Sequence, residues 1–313
     1  MIPRPGSLSH AVGPPVSEMS GTTVTCAICG ALDTRPLYTK FDWRIEQCRR
    51  CGLVYANPRA PEAAILARYS REYFWNEYLP AVGAPGGRVD LPFLDRRHAA
   101  MLRVIGSRAQ GGRLLLEVGT GAGLFLKAAE RAGWDVAGLE LSEDGATFAR
   151  ETLQLDVRTE RAEAMSFEAG SFDVAVMFDV IEHLFDPRGV LESTRRALRP
   201  GGLFVVTTPN FDALSRVVLG VDWAVLSPLE HLYYFTERTL RLMLEAAGFR
   251  DVVCLRQYDG WGAIETMNYH STHAPRTWRA RGYGRLVESR GHAARKLVQR
   301  LGRADALLCL ATA

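Results

Sequence analysis

The sequence predicts an α/β protein built on a doubly wound, mostly parallel sheet, with a small metal-stapled unit in front of it. Three observations carry this. Short apolar runs alternate with amphipathic helical stretches from about residue 110 onward, a glycine-rich turn joins the first run to its helix, and two CxxC pairs lie near the N-terminus. A chain of 313 residues has room for two such unequal units.

Bulk composition narrows the class. Hydrophobic residues at 47% and charged residues at 23% are ordinary globular values. No apolar run approaches the ~20 residues that span a bilayer, so a membrane partner is not expected. The net charge of +3 does not mark a surface devoted as a whole to nucleic acid or lipid.

The front of the chain comes first. Residues 1–21 carry Pro3, Pro5, Pro14 and Pro15 and no apolar core of a secretory signal, so they read as a disordered tail of a cytoplasmic protein. In a reducing compartment clustered cysteines are metal ligands more often than disulfides. Cys26 and Cys29 form one pair and Cys48 and Cys51 another, with eighteen residues (30 to 47) between them. That spacing suits a four-thiolate Zn2+ site with every tetrahedral position taken by protein, which makes the metal structural rather than catalytic. Gly30 and Gly52 follow the pairs as tight turns want, and Leu37, Tyr38, Trp43 and Ile45 give the intervening segment strand character. Residues 22–60 are thus read as a zinc ribbon ending in Leu53-Val54-Tyr55-Ala56-Asn57-Pro58-Arg59, and residues 61–110 as a helical connector or lid containing a Tyr-rich stretch, Tyr69 to Tyr78, and an amphipathic helix from Phe93 to Ile105.

Residues 111–313 form the large unit. Arg113 to Val118 is an apolar run of the kind that becomes a strand buried on both faces. Gly119-Thr120-Gly121-Ala122-Gly123 follows, then a helix from Leu124, then a second strand from Trp134 to Leu139 with Glu140 at its end. A strand, a glycine turn and a helix N-terminus bring a ligand against bare backbone, and a carboxylate at the second strand's end takes ribose hydroxyls. A dinucleotide and S-adenosylmethionine both fit that plan. The dinucleotide fingerprint wants a small residue where Leu124 stands, whereas Glu117, two before Gly119, can face the cationic end of a ligand that lacks a pyrophosphate, which favours S-adenosylmethionine. Strands at Ser171 to Phe178, Leu203 to Thr208 and Val252 to Gln257, with helices at Val190 to Leu198 and Glu237 to Ala247, continue the alternation.

Leu115-Leu116-Glu117-Val118-Gly119-Thr120-Gly121-Ala122-Gly123, Gly138-Leu139-Glu140, Phe172-Asp173-Val174, Asp179-Val180-Ile181-Glu182-His183-Leu184 and Leu198-Arg199-Pro200-Gly201-Gly202 together resemble a class I S-adenosylmethionine-dependent methyltransferase over about residues 110 to 260. The front end resembles bacterial methyltransferases with an N-terminal zinc ribbon, many of which serve sugar, surface-glycan or secondary-metabolite pathways. The resemblance implies a Rossmann-like seven-stranded sheet whose last strand, Asp305 to Ala311, is antiparallel. It also implies cofactor contacts at Glu117, Gly119, Thr120, Gly121 and Gly123 for the methionine part, Glu140 and Leu141 around the ribose, Ala162 and Glu163 beside the adenine, and Phe178 flanking the sulfonium.

Asp179, Glu182 and His183 stand at i, i+3 and i+4, and three readings of them stay open. Asp179 and Glu182 make a capping box for a helix that starts there. Alternatively His183 or His231 is a general base toward a substrate hydroxyl. Finally, Asp179, Glu182, His183 and His231 gather a second divalent cation that binds the acceptor, a reading that follows a resemblance of the acidic-x-x-Glu-His run to ubiquinone-pathway O-methyltransferases and small-RNA 2′-O-methyltransferases.

Acceptor recognition is assigned to the irregular parts, namely the Tyr69 to Tyr78 lid, the Phe211 to Tyr234 loop and an insertion near 258–303 that holds eight arginines from Arg276 to Arg303 and could meet a phosphate-bearing acceptor. Lysine occurs only at Lys40, Lys127 and Lys296, so the chain's arginine excess is general and this basic face is chiefly solvated surface. The expected activity is methyl transfer to a small hydroxylated acceptor. An RNA methyltransferase that uses ribbon and basic face is the same-fold rival, and a non-catalytic scaffold with a partner-binding ribbon is the rival from another class. Cys254 and Cys309 are expected to be buried thiols on the sixth and seventh strands.

Overall fold

The computed structural model describes residues 20–256 and 296–313. The predicted tail and most of the arginine-rich insertion lie outside the described residues.

The chain opens with three antiparallel strands, β1 (Thr34–Lys40), β2 (Trp43–Cys48) and β3 (Val54–Ala56). The connector follows as α1 (Glu62–Leu66), α2 (Arg71–Tyr73), a π-helical turn over Phe74–Tyr78, α3 (Leu79–Val82) and the long α4 (Leu91–Gly106). Asp90 caps α4 by accepting from the Phe93 N–H at 3.0 Å, so this helix starts two residues before the apolar periodicity does.

The alternating part consists of β4 (Leu114–Val118), α5 (Leu124–Arg131), β5 (Asp135–Glu140), α6 (Glu143–Glu151), β6 (Val157–Thr159), β7 (Phe172–Phe178), α7 (Pro187–Ala197), β8 (Leu198–Pro209), α8 (Leu214–Leu219), β9 (Tyr233–Tyr234), α9 (Glu237–Ala246), β10 (Arg250–Cys254) and β11 (Ala306–Thr312). Seven of the strands form one sheet in the order β10-β11-β8-β7-β4-β5-β6. β11 runs antiparallel to both neighbours and the five strands from β8 to β6 are parallel, as expected for the last strand. The sheet order reverses between β4 and β7, so the crevice for a ligand lies beyond the carboxyl ends of these two strands.

The pleat divides the core. Leu116, Val118, Ala175, Met177, Phe204 and Val206 point to one face and pack with α7, α9 and the cysteine cluster. Leu115, Val174, Val176, Val205 and Leu308 point to the other and pack with α4, α5 and α6. β7 is buried along its whole length, which is why its sequence reads as a continuous apolar run rather than an alternation.

Three expectations are corrected. Arg199-Pro200-Gly201-Gly202, read as a turn before a fifth strand, lies inside β8, where Gly201 adopts φ +79° and the register to β7 shifts. Cys254 and Cys309 are not separate buried thiols. They face each other across β10 and β11 with Cα atoms 4.0 Å apart and are joined by a disulfide. The cause is the antiparallel register, which sets these two residues directly opposite one another.

The third correction concerns the ribbon. Its sheet has a fourth strand, β9, which comes from the large unit and pairs with β3 through Val54 opposite Tyr234 and Tyr55 opposite Tyr233. Ile45, Val54, Phe211, Trp223 and Tyr234 pack together as one apolar cluster under this joint. A segment this small has too little core to stand alone, and it borrows both a strand and apolar cover from the chain that follows it.

Candidate active site

The glycine turn between β4 and α5 builds one half of the site. Gly119, Gly121 and Gly123 have φ of +77°, +54° and +74°. At Gly119 a Cβ would stand 2.5 Å from Val180 Cγ2, and at Gly121 it would stand 1.9 Å from the Tyr78 hydroxyl. The turn therefore needs glycine twice over, for backbone conformation and for close approach.

Two carboxylates flank this turn. Glu140 accepts from the Gly121 N–H at 2.7 Å and from the Ser142 N–H at 2.8 Å, which fixes its carboxylate at the mouth of the crevice. Burial raises its pKa, as it does that of Glu117, whose shift is added to by the charge of Glu140. Glu117 Oε2 is buried without a hydrogen-bond partner, and so is Thr120 Oγ1. Orphaned polar atoms at the end of a central strand are what a site for a polar, cationic ligand leaves behind when described by protein alone.

The connector closes over this half. Tyr78 stacks on Phe74 at 5.7 Å between ring centroids, Trp75 meets Phe148 edge-on, and Arg71 pairs with Asp144 at 2.6 Å. Tyr69 and Tyr78 are both half-buried, and desolvation pushes both phenols up, with the charge of Glu140 the next cause at each. The Tyr-rich stretch thus brings the Tyr78 hydroxyl against Gly121 of the glycine turn.

After β6, Ala162 is buried in a short 3-10 turn and Glu163 accepts from the Phe185 N–H at 3.1 Å. Phe178 ends β7 and packs edge-on against Phe125 at 4.7 Å. Leu141 is 37% exposed beside Glu140.

The second half of the site follows β7. Asp179 adopts φ +54° and Ile181–His183 is a single 3-10 turn, while the helix of this region, α7, begins only at Pro187 with Asp186 as its cap. The capping-box reading of Asp179 and Glu182 is therefore overturned. Asp179 accepts from Thr207 Oγ1 at 3.1 Å and Glu182 Oε2 accepts from Thr208 Oγ1 at 2.9 Å, so both side chains look across to β8 instead of back along a helix.

His183 and His231 lie together with ring centroids 4.7 Å apart. His183 Nδ1 is 2.8 Å from the Glu230 carbonyl and His231 Nδ1 is 2.8 Å from the Val225 carbonyl. A carbonyl only accepts, so both hydrogens sit on Nδ1 and both Nε2 atoms keep their lone pairs. Burial and the neighbouring His231 take the His183 pKa down to about 3, and burial lowers that of His231. Glu182 is buried and its Oε1 has no hydrogen-bond partner, standing 3.9 Å from His183 Nε2. Glu182, His183 and His231 can each direct one ligand atom to a common point, all within 4.8 Å of one another. Asp179 does not belong to that set.

The four cysteines make the other converging group, and their ligand atoms also lie within 4.8 Å of one another. Cys26 and Cys51 sulfurs are 3.3 Å apart and Cys29 and Cys48 sulfurs 3.6 Å, near the ~3.8 Å edge of a tetrahedron with 2.3 Å metal–sulfur bonds. Burial pushes the Cys26 and Cys51 thiols up. At Cys48 burial also raises, but N–H groups of Cys51 and Arg50 outweigh it and bring that thiol to about 7.

Comparison with known proteins agrees with this geometry. The methyltransferase-domain family matches residues 93–254, more than half of the chain, and the chain belongs to that family. Among curated relatives, the ubiquinone biosynthesis O-methyltransferase of Ruegeria sp. strain TM1040 is 31% identical over 152 residues, which is 45% of this chain and 62% of the relative. The protein of the same name from Roseobacter denitrificans is 36% identical over 152 residues, 45% of this chain and 61% of the relative. The chain thus spans less than two thirds of the length of either. Among solved structures, an S-adenosylmethionine-dependent methyltransferase from Archaeoglobus fulgidus is 19% identical, covers 72% of this chain and 96% of its own, and superposes with a TM-score of 0.47. Among the described residues no helix is long and apolar enough to cross a membrane.

Proposed function

We propose that the protein transfers a methyl group from S-adenosylmethionine to an oxygen of a small hydroxylated molecule. We further propose that Glu182, His183 and His231 hold a divalent cation against that acceptor, while the four cysteines hold a structural Zn2+.

The observation that carries this reading is the convergence of one ligand atom each from Glu182, His183 and His231, with both Nδ1 hydrogens turned away onto backbone carbonyls. Burial and the charge of Asp179 raise the Glu182 pKa, and a cation at that point would stabilise its ionised form. A metal-ligating histidine characteristically donates its other N–H to a carbonyl or carboxylate, which fixes ring and tautomer. Desolvation holds the pKa of both His183 and His231 below the ordinary imidazole value, which favours the neutral form that a metal ligand needs.

S-adenosylmethionine supplies an electrophilic methyl carbon, and the cation supplies a lowered pKa at the acceptor hydroxyl. The remaining work is done by the chain. Glu117 faces the cationic end of the cofactor, Glu140 is pre-aimed by two backbone N–H groups to accept from ribose hydroxyls, and Ala162 and Glu163 border the adenine. Phe178 walls the methyl group. Tyr69 and Tyr78 exclude water from above, and the acceptor enters between them and the histidine pair. Rate comes from holding acceptor oxygen and methyl carbon in line.

The test is methyl transfer from labelled S-adenosylmethionine to a panel of phenols, catechols, sugars, nucleotide-sugars and bulk RNA, before and after chelation. The reading expects turnover on a small hydroxylated acceptor, lost on chelation and restored by Mg2+ or Mn2+. Turnover that survives chelation removes the cation, and labelling of RNA alone replaces the acceptor class.

A further inference from the structure

We infer that Arg59, near the end of the ribbon, is a positioning residue for the histidine pair. Its guanidinium ties together the two backbone segments that carry His183 and His231.

Arg59 is 8% exposed. One of its terminal nitrogens donates to the Phe185 carbonyl at 3.1 Å, two residues after His183, and the other donates to the Tyr233 hydroxyl at 2.7 Å, two residues after His231. The Tyr233 hydroxyl in turn donates to the same Phe185 carbonyl at 3.4 Å. The guanidinium also lies over both rings, 5.1 Å from the Tyr233 centroid and 5.9 Å from that of Phe185. A planar fork with two acceptors and two aromatic faces is held in one geometry, which lysine cannot reproduce.

The ribbon backbone continues the tie. The Ala56 N–H donates to the Leu232 carbonyl at 3.0 Å, and the Leu232 N–H donates to the Glu182 carbonyl at 2.7 Å. Leu232 adjoins His231, so a ladder runs from the ribbon strand through one histidine segment to the other. Arg59 itself is anchored by a two-way backbone pair with Thr22, both bonds 2.8 Å long. The ribbon therefore does not only sit beside the site. It supplies the strand and the cation that set the spacing of its two imidazoles, and a spacing error near 1 Å is enough to spoil a converging set. The Leu53 to Arg59 run, which has no part in binding the structural metal, acquires a function in this way.

The test uses the full zinc-containing protein labelled with 15N in histidine, with His183→Gln and His231→Gln for assignment. Wild type is expected to show both imidazoles as Nδ1–H tautomers with slowly exchanging protons. Arg59→Met is expected to speed exchange of both protons at least tenfold and to leave binding of S-adenosylhomocysteine, measured by calorimetry, within threefold of wild type. Wild-type exchange in Arg59→Met, or no Nδ1–H tautomer in wild type, overturns the inference. If Arg59→Met does not fold, Tyr233→Phe decides, since it removes only the shared hydroxyl. Faster exchange at His231 supports the positioning role and unchanged exchange refutes it. The inference rests on the histidine pair described above, but its readout needs no metal. Failure of wild type to bind Mn2+ with altered exchange in the variants defeats the cation and leaves the positioning role standing.

Discussion

At the scale of single residues the two carboxylates near the glycine turn have different jobs. Glu140 is fixed by two N–H groups and offers two oxygens to a diol, and charge-assisted hydrogen bonds of this kind are worth about 1.5–3 kcal/mol each. Glu140→Ala is therefore expected to weaken S-adenosylhomocysteine binding by roughly 10- to 100-fold in calorimetry, and binding within threefold of wild type would remove it from the site. His183→Gln and His231→Gln are expected to leave that binding unchanged while lowering turnover at least about 100-fold, as loss of an outer or direct metal partner does. Weakened cofactor binding in both would mean that the pair belongs to the cofactor half. The placing of Glu117 on β4, of the glycine turn after it and of Glu140 at the end of β5 was legible in the sequence because the apolar runs of those strands are unmistakable, whereas His231 stands in a loop before β9. The role of Asp179 was not legible. Spacing of i and i+3 fits a helix cap, and nothing local shows that the chain takes a positive φ there and postpones its helix to Pro187.

At the scale of elements the connector and the ribbon share the work of shaping the crevice. The sequence marks the connector by its tyrosines and the α4 helix by its periodicity. It does not show the π-helical turn over Phe74–Tyr78, which brings Phe74 and Tyr78 into a stack and sets Tyr78 over Gly121. Nor does it show β9, because two residues flanked by a loop and a helix carry no strand period. That pairing is long-range and depends on the ribbon being folded. A four-thiolate metal contributes folding energy directly to so small a unit. Cys29→Ser is thus expected to release one Zn2+ per chain by atomic absorption and to lower the Tm by about 5–10 °C. An unchanged zinc content would show that the cysteines hold no metal.

At the scale of the whole molecule, the doubly wound sheet and a ligand crevice at the carboxyl ends of its strands follow from the strand–helix alternation and the glycine turn, whereas the antiparallel last strand was expected only from the resemblance to class I methyltransferases. What the alternation leaves open is where the second half of the chain returns to the first. Asp305, at the start of β11, shows one consequence. It is buried, accepts from Ser215 Oγ on one oxygen and has no partner on the other. Burial raises its pKa to about 6, above its ordinary value of 3.8. A carboxyl whose folded value is raised favours the fold most below its unfolded pKa and loses that contribution as pH rises through the folded value. The loss between pH 4 and 7 is on the order of 2 kcal/mol. Asp305→Asn should therefore gain in Tm over wild type by several degrees as pH goes from 5 to 8, measured by calorimetric scanning. A difference independent of pH would place the acid in solvent.

The two histidines and the buried glutamate at the carboxyl end of β7 remain the feature on which the functional account turns. The most direct measurement is electron paramagnetic resonance of Mn2+ titrated into the zinc-loaded protein, with Glu182→Gln, His183→Gln and His231→Gln alongside. The account predicts one bound Mn2+ per chain in wild type and at least tenfold weaker binding in each variant. No bound Mn2+ in wild type, or equal binding in all four proteins, would contradict it.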